Sequence, residues 1–144
     1  MKNRILAVLF SVVFLNPGCS TLQKSDTAAI QGVWKGCDKT RPGDGMCSVK
    51  FSKNTVEFQG AGKDDWCKGI FTLHEDTNPK QIVATILEAS DSRAIGQSVH
   101  AIYRIEATTL TLAGNQPGNP APPAGFDAPE AQILVLKKPQ KELN

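Results

Sequence analysis

The residues best suited to chemistry in this chain are Cys37, Cys47, Cys67, His74 and His100, with a further cysteine, Cys19, at the end of an N-terminal apolar run. Cys37, Cys47, Cys67 and His100 have the donor types of a zinc site. Their spacing matches no CxxC-type signature, so neither a metal nor another cofactor is expected. In an oxidising compartment two of the three thiols would pair and one would be left over. Cys37–Cys47, closing the segment Asp38 to Met46, is the simplest pair, and Cys37–Cys67 is the next. A loop of that size closed by a disulfide is worth about 2–4 kcal/mol. The remaining thiol would be reactive only if its surroundings lowered its pKa. His74, beside Glu75 and Asp76, reads as a solvated turn residue. No Gly-x-Ser-x-Gly, HExxH or P-loop pattern occurs. Asp64-Asp65 and Asp91-Ser92 fall in loops, where carboxylates usually solvate the chain, so an enzyme is not expected.

The compartment is read from the N-terminus. Lys2 and Arg4 precede the apolar run Ile5 to Leu15, and Asn16-Pro17-Gly18 precede Cys19. That is the layout of an export signal, and the run is shorter than the roughly 20 residues a spanning helix needs. The Gly18-Cys19 junction resembles the bacterial lipobox, in which the cysteine is lipidated and becomes the new N-terminus. The usual leucine three places before the cysteine is Asn16 here. The resemblance implies lipidation of Cys19. With Ser20 rather than Asp after it, it also implies the outer membrane, on its periplasmic or surface face. A plain secreted protein is the alternative. The chain carries 16 Lys+Arg against 14 Asp+Glu, and two of those cations, Lys2 and Arg4, lie in the export segment. The processed chain is therefore close to neutral and has no basic block, which removes the electrostatic basis for nucleic-acid binding.

Residues 19–29 read as a polar tether. From Ile30 onward no 3.6-residue apolar pattern is sustained. Short alternating runs occur instead: Ile30–Gly36, Cys47–Phe51, Thr55–Phe58, Trp66–His74, Gln81–Leu87, Val99–Ile105, Thr109–Ala113 and Ala131–Lys137. Their connections alternate. Those after the first, third, fifth and seventh runs are long, and those after the second, fourth and sixth are short. An up-and-down meander produces that alternation, because successive connections fall at opposite ends. The expected fold is all-β: a small eight-stranded up-and-down antiparallel barrel, which also leaves no exposed sheet edge. All three later cysteines and His100 then fall at the long-loop end. Val49, Phe51, Val56, Phe58, Phe71, Leu73, Val99, Tyr103, Ile105, Leu110 and Leu112 share the inward phase. They are expected to fill most of the lumen and to leave a shallow pocket at the mouth.

The ordered set Ile30-Gln31-Gly32-Val33-Trp34-Lys35, Ala101–Ile105 with Thr109–Leu112, the Pro-rich stretch before Phe126, and Ile133–Lys138 carries a resemblance. The chain resembles the lipocalin-like branch of the calycin superfamily, and more closely a bacterial lipocalin-like domain family of unknown function. The resemblance spans residues 30–138, leaving 1–18 as signal, 19–29 as lipidated tether and 139–144 as a polar tail. It implies a fold and no demonstrated activity. Within it, Trp34 and Gly32 read as a structural plug of the tightly turned end, with Gly32 admitting a close neighbour. Asn115 to Glu130, stiffened by Pro117, Pro120, Pro122, Pro123 and Pro129, reads as a lid folding Phe126 over the mouth, or as an aromatic anchor for a partner. Phe126, Trp66 and His100 are the expected rim residues. The expected function is a lipid-anchored, lipocalin-like binding protein of the cell envelope that captures a small apolar or amphipathic ligand. The alternative is a module that binds another envelope protein through its mouth loops.

Overall fold

The computed structural model describes residues 24–140, so Cys19 and the export segment lie outside the described residues. Eight strands follow one another: β1 Gly32–Asp38, β2 Met46–Ser52, β3 Thr55–Gln59, β4 Trp66–His74, β5 Gln81–Ala89, β6 Ser98–Glu106, β7 Thr109–Gly114 and β8 Gln132–Lys137. Each pairs antiparallel with the next, and β8 pairs with β1, so the sheet closes into a lipocalin-like up-and-down barrel. The tight turns sit at one end. Lys53 and Ala107 adopt left-handed φ of 55° and 51° in two of them, at a cost that non-glycine residues accept in short hairpins.

Alternation decides what enters the lumen. On β1 the burial pattern runs exposed Val33, buried Trp34, exposed Lys35, buried Gly36, exposed Cys37, buried Asp38. Ten of the eleven residues expected inside belong to the core cluster, and the eleventh, Val99, lines the cavity above it. Near the tight-turn end the inward side chains are large. Trp34, Tyr103, Leu110 and Leu136 are fully buried, and the Phe51 and Phe71 rings meet edge to face with centres 5.0 Å apart. Each such side chain contributes about 1.5–3 kcal/mol by leaving water.

A short helix, α1 Asp26–Ala29, lies across this end, so the segment read as a tether is folded from Asp26 onward. Its contacts explain why. Asp26 Oδ2 accepts from Lys80 Nζ (2.6 Å) and from the buried Tyr103 hydroxyl (2.8 Å), and Glu75 accepts the Thr27 amide (3.1 Å). Burial raises the Asp26 carboxyl, but the Lys80 and Tyr103 hydrogen bonds outweigh it and hold it below its usual range. Burial, followed by the bond to Asp26, pushes the Tyr103 phenol far above its own. Trp34 completes the plug: its Nε1 donates to Ile30 O (2.7 Å), and the Lys138 ammonium stands 4.9 Å from the ring centre. Gly32 has a different role from the one expected. It takes φ +109° where α1 turns into β1, and a Cβ there would have ordinary space, with Lys138 Cε 3.8 Å away. The glycine that admits a close neighbour is Gly36, where a Cβ would fall 2.0 Å from Val135 O on β8.

A second small core lies outside the barrel. Ile102, Ala113 and Ile133, on the outward register of β6, β7 and β8, are covered by Phe126, Ala128 and Ala131 of the long β7–β8 connection.

Candidate functional site

The inward residues change size along the barrel. Above Phe51 and Ile82 the lumen is walled by Val49, Phe58, Ile86, Leu112 and Leu134, and elsewhere by small residues: Gly69, Ala84, Val99, Ala101 and Gly114. Small side chains opposite one another cannot meet across a barrel of this diameter. A cavity of about 340 Å³ remains in the mouth half. The lumen is thus filled at the closed end and open at the other, deeper than the shallow pocket expected. The run of small inward residues on β4–β7 was the signal, visible once the phase was assigned.

Polar residues ring the opening: Asp65, Ser90, Asp91, Asn115, Gln116 and Gln132, with Trp66 and Cys67. A cleft of about 290 Å³ adjoins it, sharing Phe58, Asp65, Gln132 and Leu134, and adding Asp38, Arg41, Asp44 and Cys47. Asp38 organises this side. It ends β1 on the inward phase and is 7% exposed. Its carboxylate accepts from Thr40 N (2.8 Å), the Thr40 hydroxyl, Arg41 Nε (3.0 Å) and Gln132 Nε2 (2.8 Å). Burial alone would raise this carboxyl, but the bonds from Thr40, Gln132 and Arg41 reverse the effect and hold it at about 2. Asn115 is also buried. Its Nδ2 donates to Ala121 O (2.8 Å), while its Oδ1 has no partner among the described residues. An acceptor left in that state costs about 1–3 kcal/mol.

The expected site residues divide between the two faces of the wall. Trp66 lies at the opening and also borders a polar groove on the outside, with Lys68 Nζ 6.0 Å from its ring centre. His100 is level with the mouth but on the outward register, in phase with Ile102 and out of phase with Val99 and Ala101, which face the lumen. Phe126 does not close the mouth. It packs against the outer wall beneath the Arg104 guanidinium, 4.7 Å from the ring centre, because the β7–β8 connection descends outside the sheet. Only its first residues, Asn115 to Pro117, reach the cavity.

The three cysteines are free thiols. Cys37 and Cys47 end and begin adjacent strands, but Cys37 pairs with Met46 and Cys47 with Gly36, so their side chains point to opposite sides of the wall. That geometry opposes the simplest disulfide. The same division separates outward Cys37 and His100 from inward Cys47 and Cys67, so those four donors do not converge. Strand parity, read from Trp34 and from Val49, was sufficient to reveal this. Burial pushes both inward thiols up, with the Asp65 charge adding to the effect, which keeps them in the unreactive protonated form. The residues that sequence reasoning missed are Asp38, Arg41, Asn115 and Gln132. Asp38 shares parity with Trp34 and was recoverable; the others are brought in by the fold.

No family model matches the chain, and comparison with curated proteins and with solved structures likewise finds no match. What the site does is therefore read from its geometry.

Proposed function

We propose that this protein is a lipid-anchored binding protein of the bacterial cell envelope, akin to the lipocalin-like domain family it resembles, which holds a small apolar or amphipathic ligand in the mouth half of its barrel. One observation carries the reading: an apolar chamber of about 340 Å³, floored by a packed core and open at the long-loop end. Dedicated ligand sites begin at about 300 Å³ and combine apolar walls with a few polar groups, and this chamber has both. A larger depression, about 480 Å³, lies on the outer wall, but most of its lining is polar or charged. Lys50, Glu57, Lys63 and Lys68 outnumber Val33, Phe58 and Trp66, so it offers less apolar surface to drive burial. The alternative, a module that binds another envelope protein through its mouth loops, would act there without Phe126, which packs on the outer wall.

Lipidation of Cys19 would attach the domain through α1 at its closed end, so the mouth would face away from the membrane. Native mass spectrometry of the protein purified from its own envelope tests both parts. The expected spectrum contains an acylated N-terminal cysteine and a co-purifying small molecule. A ligand-free species that also fails to bind a neutral apolar dye would overturn the carrier reading, and an unmodified or absent Cys19 would overturn the anchor.

A further inference from the structure

We infer that the outer face of β8, β1 and β2 is a docking surface for an anionic lipid bilayer, which it meets through Lys35, Lys50 and Lys137. This rests on the lipid-anchor half of the proposed function, because a short tether brings the bilayer within reach, and it makes no use of the chamber. The sequence holds no run of basic residues, and the fold assembles this face from strands far apart in the chain. Lys35 on β1, Lys50 on β2 and Lys137 on β8 are all exposed and all on the outward register.

Lys35 and Lys137 are direct partners across the β1–β8 seam. Like charges placed opposite one another in this way destabilise a sheet. Lys50 is diagonal to Lys35, because Lys35 pairs with Ser48 and Lys50 with Val33. Lys53, exposed in the β2–β3 turn, continues the row toward the closed end. Among the described residues none of these four lysines is ion-paired, whereas Arg41, Lys80, Arg93 and Arg104 each are. The three strands carry no outward carboxylate, since Asp38 ends β1 on the inward phase. On the flanking strands β3 and β7 the one carboxylate is Glu57, and it stands between Lys50 and Lys68. The other carboxylates of the closed end are engaged or distant. Asp26 is held by Lys80, Glu106 by Arg104, and Glu75 takes the Thr27 amide, while Asp76 sits on the β4–β5 turn across the barrel.

The composition of the face favours a bilayer over an acidic protein. Its outward positions hold lysine and serine and no arginine or aromatic residue. Protein interfaces favour arginine and aromatics and avoid lysine and serine. A sheet of phosphate head groups demands no matched geometry and takes lysine as a point charge. The position also fits. Lys137 ends β8 and Lys50 lies two residues before the end of β2, both at the closed end. There Lys138 Nζ donates to Ala29 O (2.9 Å) and Gln31 Nε2 donates to Lys53 O (3.0 Å), fastening the folded end of the tether between β8 and the β2–β3 turn. Each lysine near an anionic leaflet strengthens attachment about fivefold, so the three together contribute about a hundredfold.

The test is lysine acetylation, followed by peptide mapping, of the protein purified from its own envelope and mixed with vesicles. One set is phosphatidylcholine alone and the other contains about one-third phosphatidylglycerol. Lys35, Lys50 and Lys137 should react about fivefold or more slowly on the anionic vesicles than on the neutral ones. Lys39 and Lys63, in the mouth loops, should react equally on both. Salt at about 0.5 M should remove the difference. With Lys35→Gln and Lys137→Gln combined, Lys50 should lose most of its protection. Protein that floats with both vesicles but shows equal rates at the three lysines would overturn the docking surface and leave the anchor intact. Protein that floats only with anionic vesicles, its three lysines protected, would overturn the anchor and support the surface. Protein that floats with neither would overturn both. Stronger protection by soluble polyglutamate than by anionic vesicles would assign the face to an acidic protein and overturn the lipid.

Discussion

Replacing Asp38 with Asn should remove a share of stability that depends on pH, and the size of that share follows from the structure. The Asp38 side chain is 8% exposed and carries hydrogen bonds from Thr40, Arg41 and Gln132. Its carboxyl is held at about 2 against an ordinary 3.8. Because the folded value lies below the unfolded one, the ionised group stabilises the fold at every pH above about 4. That contribution is lost as the pH falls from about 4 to about 2. A depression of this size corresponds to about 2 kcal/mol. The part owed to Arg41, whose side chain is 50% exposed, is reduced by solvent screening. Urea unfolding of the unaltered chain and of Asp38→Asn, from pH 7 to about 2 at constant ionic strength, measures it. The variant should be less stable by about 2 kcal/mol at neutral pH, and the two curves should converge at the acid end as the native carboxyl protonates. Curves that stay parallel between pH 5 and 2 would refute the account, since the bonds around Asp38 would then not depend on its charge.

Gly36→Ala places a methyl 2.0 Å from Val135 O in the β1–β8 seam, and thermal unfolding should register a loss of about 3 kcal/mol. Gly62→Ala meets its nearest neighbour at 3.9 Å and should leave the midpoint unchanged. Ala84→Phe fills part of the chamber and should weaken neutral-dye binding by about tenfold or more in a fluorescence titration, with the far-UV spectrum preserved. Under reducing conditions maleimide should label exposed Cys37 well before Cys67 and buried Cys47, as read by peptide mapping over time; uniform labelling would contradict the inward placement of the latter two.

The barrel was legible because its signals are local. Turn residues at regular spacing mark eight extended runs, and alternation within each run assigns an inward phase without reference to any other strand. The alternating lengths of the connections then place the turns at two ends. Asp65 shows where this stops. As a loop carboxylate it reads as a solvating group, yet the fold sets it over Gly60 at the junction of two hollows. Phe126 shows the same limit. Composition marks it as an aromatic in a stiff polar loop, but whether such a loop crosses the mouth or descends the wall depends on what the wall offers. Here the wall offers Ile102, Ala113 and Ile133.

The sequence alone determined the strand number, the up-and-down order and the residues facing inward, because period-two alternation and turn chemistry are properties of neighbours in the chain. Only the tertiary structure decided that the lumen is packed at one end and hollow at the other, that Asp38, Arg41 and Gln132 meet, and that helix α1 closes the floor. Those outcomes depend on which inward residues fall opposite one another once β8 closes on β1, and that pairing joins residues about a hundred positions apart.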